Sequence, residues 1–544
     1  MIARARAFAK QGRVAIVEPE SNRIHSYDSL LRASGALAAR LRAAHGCRAN
    51  GGLNGTRVAF LTPPTFDYVR AQWAAWRSGG VAVPLCTQHP VSELRYVLED
   101  AACEAAIVHP DFADVLGEAV AGADIDGGGP PRIHVLDDDG DGDSADDDDD
   151  AGADDIDEHW GQRNAMMVYT SGTTGRPKGV VATHANLEAQ MTALVDAWGW
   201  TPDDRIANVL PLHHVHGIVN VVGCALWSGA TVEMPPAFDA AAVWDRFAEG
   251  GEDGGADALT LFMAVPTVYS KLVEEYERRP PAEQARLTAA AARLRLMVCG
   301  SAALPEPVMH RWRQVSTHTL LERYGMTELG MALSNPLEPE AARLPGRVGQ
   351  PLPGVEARIV DEDTGDVLPP GRAGGLQIRG PAVFKEYWRK PEATAAEFAA
   401  DDDGRPWFET GDVAEYDGDL DSYAILGRAS VDIIKASGYK ISALDVERVL
   451  LEHARVREVA VVGVPDDTYG ERVAAVVAFE QEGGDGDELE PTLDELRAWC
   501  AERIAPYAAP RMLVVVDALE RNLMGKVNKR DLISAHFGAA TSPS

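Results

Sequence analysis

Apolar residues recur along much of the chain with the spacing of amphipathic helices, and short β-branched runs separate these stretches. Residues 26–44 (SYDSLLRASGALAARLRAA) carry the helical spacing, residues 57–62 (RVAFLT) predict a buried strand, and residues 66–85 predict a helix, a glycine stop and a second strand. Alternation of this kind is typical of α/β layers. We therefore expect an α/β fold with a large N-terminal domain of doubly wound sheets.

The pattern changes near residues 425–430, and the chain beyond this point predicts a compact α+β unit. Its elements are expected at 443–452 (helix), 458–464 (strand), 473–479 (strand) and 493–503 (helix). We place the large domain at 1–427 and the small domain at 428–544. No internal repeat interrupts this arrangement.

An aspartate-rich stretch at 137–158 breaks the α/β rhythm. Residues 133–158 contain 14 Asp and Glu side chains and neither Lys nor Arg. Like charges mixed with glycine and alanine cannot bury a core, so we expect a disordered surface insertion there. The formal net charge of −33 and the lack of a basic stripe argue against nucleic acid as a partner.

The spacing of the cysteines and the hydropathy of the chain limit the cellular compartments that we expect for this protein. The six cysteines are far apart and form no C-x-x-C pair, which argues against a disulfide framework or a structural zinc site and favours a reducing compartment. No apolar run approaches the roughly 18 residues of a membrane span. The basic start, MIARARAFAKQGR, allows a mitochondrial location as well as a cytoplasmic one, and the final TSPS is not a peroxisomal signal.

A loop at 169–180 (YTSGTTGRPKGV) has the composition of a phosphate-binding segment. It follows an apolar run at 165–170 that predicts a strand, and its glycines allow backbone N–H groups to approach an anion closely. The G-x-x-x-x-G-K-[ST] spacing of the P-loop is absent. The candidate phosphate contacts are Thr170, Ser171, Gly172, Thr173, Thr174, Gly175 and Lys178.

A second motif at 320–336 (LLERYGMTELGMALSNP) combines groups suited to a nucleotide. Tyr324 offers an aromatic face for adenine, Thr327 offers a hydroxyl for the α-phosphate, and Glu328 is a hard oxygen ligand for Mg²⁺. Together with the loop, this motif resembles the adenylate-forming superfamily, which includes acyl-CoA synthetases, luciferases and adenylation domains. The resemblance extends the candidate ATP and AMP contacts to Glu322, Gly325 and Met326.

Further motifs occur in the order of that superfamily. The T-G-D of residues 407–416 resembles the ribose-binding motif, with Asp412 as the acceptor, and Arg428 matches the ribose-contacting arginine. The resemblance implies an interdomain hinge just after it, and the spacing leaves Ser430 and Val431 as alternatives. Residues 521–529 (RNLMGKVNK) match the C-terminal segment of the catalytic lysine, which makes Lys526 the group that stabilises charge during adenylation.

Two segments are expected to line the acyl site. Residues 210–220 (LPLHHVHGIVN) supply His214 and His216, and the "GSAAL" segment supplies Gly300 and Ser301. His216 as ordinary core packing is the alternative. Arg295 begins the strand leading to Gly300, where a guanidinium could bind a second carboxylate; an exposed strand-edge arginine is the alternative.

These segments resemble the malonyl-CoA synthetase subgroup of the superfamily. The resemblance implies ATP-dependent ligation of malonate to coenzyme A through an acyl-AMP intermediate, with methylmalonate as a second candidate acid and ATP, Mg²⁺ and coenzyme A as cofactor and co-substrates. A short-chain synthetase for acetate or propionate is the main alternative. A carrier-dependent adenylation domain and a silent nucleotide-binding paralogue fit less well. Monomer and homodimer both stay open.

Overall fold

The computed structural model describes residues 1–47, 52–125, 129–137, 159–170, 176–249, 255, 257–400, 404–436, 439–466, 468–480, 490–521 and 526–538. The acidic insertion predicted at 137–158 lies outside the described residues apart from Asp137. In the described part of the chain, no helix combines the length and the apolar character needed to cross a membrane.

A seven-stranded sheet forms one layer of the large domain, with five parallel strands and two antiparallel-paired strands at one side. In spatial order its strands are β18 (Glu386–Tyr387), β8 (Lys178–Thr183), β7 (Asn164–Thr170), β4 (Val81–Pro84), β3 (Arg57–Leu61), β5 (Ala105–Val108) and β6 (Arg132–Val135). The hairpin of β7 and β8 ends with Thr170 opposite Lys178, so these two residues mark both ends of the predicted phosphate loop.

A nine-stranded sheet forms the second layer. In spatial order its strands are β15 (Gln350–Pro351), β14 (Gly330–Ser334), β13 (Leu321–Met326), β12 (Leu296–Cys299), β11 (Leu261–Ala264), β9 (Arg205–Ala207), β10 (Thr231–Glu233), β1 (Val14–Glu18) and β2 (Arg23–Ser26). Strands β11, β12 and β13 are parallel. Their carboxyl ends therefore share one edge, where ligands bind in open α/β sheets.

Helices cover both sheets of the large domain. They are α1 (Ile2–Ala9), α2 (Tyr27–Ala44), α3 (Phe66–Arg77), α4 (Val91–Asp100), α5 (Ala113–Ala121), α6 (His184–Ala197), α7 (Cys224–Ser228), α8 (Ala240–Ala248), α9 (Pro266–Arg278), α10 (Pro281–Ala291), α11 (Glu306–Ser316) and α12 (Pro391–Ala395). The predicted helix at 26–44 is confirmed, and Ser26 caps it by accepting a hydrogen bond from the Ser29 N–H at 3.0 Å.

The main core lies between the two sheets. Leu30 of α2, Trp73 of α3 and Leu194 of α6 are buried there beside strand residues of both layers, such as Ile16 and Phe60. Burial of each such side chain stabilises the fold by about 1.5 to 3 kcal/mol. The apolar periodicity in the sequence thus corresponds to contacts that hold the layers together.

A third sheet, which the sequence pattern did not predict, is antiparallel and completes the large domain. Its strands are β16 (Glu356–Val360), β17 (Ala373–Arg379), β19 (Phe398–Ala399), β20 (Trp407–Asp417) and β21 (Ser422–Arg428). It places Asp412 directly opposite Arg428.

The small domain is an α+β unit, as predicted. It contains β22 (Ile433–Ala436), β23 (Tyr439–Ser442), α13 (Ala443–Leu451), β24 (Val456–Asp466), β25 (Gly470–Phe479), α14 (Leu493–Ala501), β26 (Met512–Val515) and α15 (Lys529–His536). The four predicted elements are present, and the two strands are longer than expected. A turn at 429–432 separates the last strand of the third sheet from the first strand of this domain.

Candidate active site

The predicted ribose corner is a buried polar cluster. Asp412 accepts hydrogen bonds from the Tyr324 hydroxyl at 2.5 Å and from Arg428 Nε at 3.1 Å. Burial raises the pKa of Asp412, and the positive charge of Arg428 opposes this shift. The register of β20 and β21 fixes the pair, so the three side chains predicted from separate motifs meet at one point.

Glu328 lies in the tight turn between β13 and β14, next to Thr327. Its Oε1 accepts a hydrogen bond from the Tyr387 hydroxyl at 2.9 Å, and the Lys178 ammonium lies 4.3 Å from the centre of the Tyr387 ring. Burial raises the pKa of Glu328, whereas the Tyr387 hydrogen bond lowers it. The end of the phosphate loop and the candidate metal ligand are therefore connected through Tyr387.

The hairpin that carries these groups leaves no space for a side chain at Gly325. A Cβ atom there would lie 2.1 Å from the carbonyl oxygen of Gly330, which belongs to the facing strand. Met326 pairs with Gly330 in the register of the same hairpin. Close approach of the two strands thus positions the turn that holds Thr327 and Glu328.

Lys526 reaches this cluster from the small domain. Its side chain is exposed at the edge of the site, yet partial loss of hydration lowers its pKa. The positive charges of Arg323 and Arg428 lower that pKa further, while Asp412 and Glu328 oppose them. The lysine predicted from the C-terminal motif is thus close to both candidate nucleotide and acyl residues of the large domain.

The candidate acyl corner lies at the carboxyl end of β12. Ser301 Oγ is 3.1 Å from His216 Nδ1 and accepts a hydrogen bond from the Arg323 guanidinium at 3.2 Å. Gly300 packs directly on Arg323, because a Cβ atom at 300 would lie 2.7 Å from the guanidinium carbon. Ser301 has a φ of +70°, a rare backbone conformation of the kind that occurs at functional sites.

The histidines of this corner are held neutral. His216 begins an eight-residue π-helix (His216–Gly223), and burial together with the Arg323 charge lowers its pKa well below the usual value. Burial lowers the pKa of His214 to about 3, with further contributions from His213 and Lys526. Neutral imidazoles leave Arg323 as the buried cation of the corner.

The prediction that Arg295 binds a second carboxylate is wrong in this structure. Arg295 donates to both carboxylate oxygens of Asp204, from Nε at 2.8 Å and from a terminal nitrogen at 2.7 Å, and also to the Trp198 carbonyl oxygen at 2.9 Å. It precedes β12, at the end of the strand opposite Gly300 and Ser301. The charge of Arg295 is therefore neutralised away from the site.

Glu322 supports the segment after Ser301, and its predicted contact with the nucleotide stays a prediction. Its Oε1 accepts a hydrogen bond from the Leu304 N–H at 3.1 Å, which braces the segment after Ser301. Burial raises the pKa of Glu322 to about 7, and the hydrogen bond from Leu304 opposes this shift. Alternation along β13 directs Glu322 and Arg323 to opposite faces of the sheet.

Several site residues were missed from the sequence, and others cannot be placed. Arg323 stands inside an apolar strand pattern, and a charged residue in such a pattern could have indicated a functional role. Nothing in the sequence distinguished Tyr387 from other tyrosines. Five predicted loop residues lie outside the described residues: Ser171, Gly172, Thr173, Thr174 and Gly175. In the part of the chain that the structure describes, no group of three or more His, Cys, Asp or Glu side chains is arranged to hold a metal ion.

Two family models and a relative from cattle match most of this chain. The family model "AMP-binding enzyme" matches residues 3–388, and "AMP-binding enzyme C-terminal domain" matches residues 445–526. The malonate–CoA ligase ACSF3, mitochondrial, of Bos taurus is 44% identical over 553 residues, which cover 97% of this chain and 89% of the relative.

Solved structures resemble the whole chain. ATP-bound MatB from Rhodopseudomonas palustris is 33% identical with a TM-score of 0.80 and covers 98% of this chain and 99% of its own. A malonyl-CoA ligase ternary product complex with methylmalonyl-CoA and AMP is 34% identical with a TM-score of 0.63, and it covers 94% of this chain and 97% of its own. Of these two structures, the ATP-bound one has the higher TM-score.

Proposed function

This chain belongs to the AMP-binding enzyme family, and from that premise we propose that it joins malonate to coenzyme A at the expense of ATP. The environment of Arg323 is the observation that favours malonate as the acid. Its side chain is buried, and its Nε has no hydrogen-bond partner among the described residues. A buried cation is costly without a counter-charge, and the distal carboxylate of a short dicarboxylate would supply one.

The geometry supports two half-reactions. In the first, a malonate oxygen attacks the α-phosphorus of ATP, the bond from that phosphorus to the bridging oxygen breaks, and pyrophosphate leaves. Lys526 and Thr327 stabilise the charge that develops on the α-phosphate. In the second, the thiol sulfur of coenzyme A attacks the acyl carbon of malonyl-AMP, AMP leaves with the electron pair of the C–O bond, and the thiol proton passes to solvent.

Each corner of the site has a defined task in this scheme. Asp412, Tyr324 and Arg428 bind the ribose end of the nucleotide, and Thr170 and Lys178 flank the segment that we assign to the β- and γ-phosphates. His216 and Ser301 orient Arg323, which binds the distal carboxylate of malonate bidentately. The other carboxylate is then free to face the α-phosphate.

Glu328 is suited to a Mg²⁺ ion that accompanies ATP. Mg²⁺ is commonly held by one or two carboxylates together with substrate phosphates, and Glu328 supplies one. A second carboxylate, Glu397, lies nearby, with its Oε1 3.8 Å from the Lys178 ammonium. The ion would neutralise phosphate charge when bound. Tyr387 fixes the carboxylate that would hold it.

One assay compares the candidate acids. AMP release that depends on coenzyme A is measured with malonate, methylmalonate, acetate and laurate. We expect malonate to be used best, methylmalonate to be accepted, and the monocarboxylates to react poorly because they leave Arg323 without a counter-charge. Equal use of acetate and malonate would favour the short-chain monocarboxylate synthetase instead.

We also propose a mitochondrial location, with the cytoplasm as the alternative. The name of the Bos taurus relative describes that protein as mitochondrial. Fractionation of cells that express the full chain, followed by immunodetection beside a matrix marker, tests this. Recovery in the cytosolic fraction alone would contradict it.

A further inference from the structure

A buried ion-pair cluster connects the Lys526 segment to the turn between the domains. The Lys529 ammonium is 2.5 Å from Asp432 Oδ1 and 2.7 Å from Glu447 Oε1. All three side chains are largely buried, with exposed fractions of 11%, 15% and 16%. Burial would lower the pKa of Lys529, but the charges of Glu447 and Asp432 raise it above the ordinary value, so the lysine stays charged.

Asp432 also closes the turn that joins the domains. Its Oδ2 accepts a hydrogen bond from the Arg428 N–H at 3.0 Å, and its own N–H donates to the Arg428 carbonyl oxygen at 2.8 Å. The side chain folds against Gly427, where a Cβ atom would lie 2.4 Å from that of Asp432. One carboxylate therefore contacts both the last strand of the large domain and Lys529.

Arg428 extends this chain of contacts to the nucleotide site, because its side chain donates to Asp412. On the other side, Lys529 lies three residues after Lys526, a reach of about 10 Å along the chain. Residues 526–528 belong to no helix or strand. Without an anchor nearby, an exposed lysine on such a segment would lose considerable conformational entropy whenever it entered the site.

We propose that Lys529 is a positioning residue whose ion pair with Asp432 holds Lys526 in the site during the first half-reaction. The role rests on the proposed function, since it concerns the adenylation step. Asp432 comes after the candidate hinge residues Ser430 and Val431, whereas Arg428 precedes them. Rotation about the turn changes the contact between Arg428 and Asp432, whereas Lys529 and Asp432 move together. The conformation of the turn therefore affects the position of Lys526 through Lys529.

The two carboxylates that hold Lys529 provide a matched pair of variants. Asp432→Asn removes the negative charge at the turn and leaves Lys529 paired with Glu447. Glu447→Gln removes the negative charge on α13 and leaves Lys529 paired with Asp432. The two positions are equally buried, so a purely structural role predicts similar effects.

Rapid mixing separates the two steps. Pyrophosphate release with malonate and ATP, without coenzyme A, reports the first step. AMP release after coenzyme A is added to enzyme that already holds its adenylate reports the second. We expect Asp432→Asn to slow the first step about 10- to 100-fold and the second less than about 3-fold, because small misplacements of a catalytic group cost about this much.

Glu447→Gln should slow neither step by more than about 3-fold, and thermal unfolding should show that both variants are folded. Lys529→Gln should reproduce the effect of Asp432→Asn, and Lys529→Arg, which keeps the charge, should restore most of the first step. Equal slowing by the two carboxylate variants, or equal slowing of both steps, would overturn the positioning role. If the wild type releases pyrophosphate only with another acid, the assignment of malonate fails and the variants are compared with that acid.

Discussion

Two arginines of neighbouring parallel strands differ in how their positive charges are paired. Arg295, at the amino end of β12, is neutralised by both oxygens of Asp204. Arg323, within β13, contacts the hydroxyl of Ser301 and lies beside the neutral His216, and its Nε has no partner among the described residues. The first charge is paired within the fold, whereas the second forms no ion pair in the described part of the chain and has only longer-range contributions such as the charge of Glu322. An arginine in an apolar strand therefore indicates a binding site only if the structure leaves its charge without an ion pair.

The largest effect is expected from Arg323→Ala. Loss of the cation would leave the distal carboxylate of malonate buried and unpaired, which should lower kcat/KM for malonate about 100- to 1000-fold. The KM for ATP should change less than about 3-fold, since the nucleotide contacts stay in place. Steady-state kinetics with malonate and ATP varied in turn checks this. A similar loss for both substrates would contradict a specific contact to malonate.

Arg295→Ala should act on stability instead of specificity. It leaves the buried Asp204 carboxylate with hydrogen bonds from Thr201 and Thr260 but without its cationic partner. This should lower the free energy of unfolding by about 2 to 3 kcal/mol, less than for a fully buried pair because Arg295 is part-exposed. Urea unfolding measures the loss. At a temperature where the variant is folded, kcat/KM for malonate should stay within about 3-fold of wild type. A selective rise in the KM for malonate would instead support a contact between Arg295 and the acid.

Glu322→Gln tests whether the neighbour of Arg323 serves the fold. Since the pKa of Glu322 is raised to about 7 in the folded protein, the folded state binds a proton more tightly than the unfolded chain. Stability should therefore fall as pH rises from about 4.5 through 7, by about 1 to 3 kcal/mol. The glutamine variant should lose this dependence and keep its affinity for malonate. Urea unfolding at pH 5.5 and pH 8 compares the two proteins.

The smallest effect is expected from Ser301→Ala. The change removes one hydrogen-bond acceptor from Arg323, worth about 0.5 to 1.5 kcal/mol, so the KM for malonate should rise about 3- to 10-fold. Ser301→Gly serves as a control, because glycine accepts the positive φ at this position without strain. If the glycine variant behaves like wild type, the hydroxyl is not needed to hold Arg323.

Much of the fold could be predicted from sequence periodicity, as α2, β3 and α3 show by beginning where the apolar pattern begins. Asp412 and Arg428 could also be selected from recognisable motifs, and their contact with ribose stays a prediction. The hydrogen bond from Tyr324 to Asp412 was not predicted, because Tyr324 was assigned to adenine. The third sheet could not, because its short antiparallel strands have mixed burial. Arg295 and Arg323 could not be told apart either, since the partner of Arg295 is 91 residues away in the chain. Which buried charge is already neutralised depends on tertiary contacts.

The π-helix at His216–Gly223 makes the acyl corner sensitive to insertions and deletions. Such a helix closes its hydrogen bonds five residues apart instead of four, so it contains more residues per turn than an α-helix of the same length. Deletion of a single residue within 217–223 would allow the segment to return to α-helical geometry, and His216 would rotate by about 100° relative to α7. In an alignment with other acyl-activating enzymes, a gap in this segment would therefore be more informative about the acid than most substitutions.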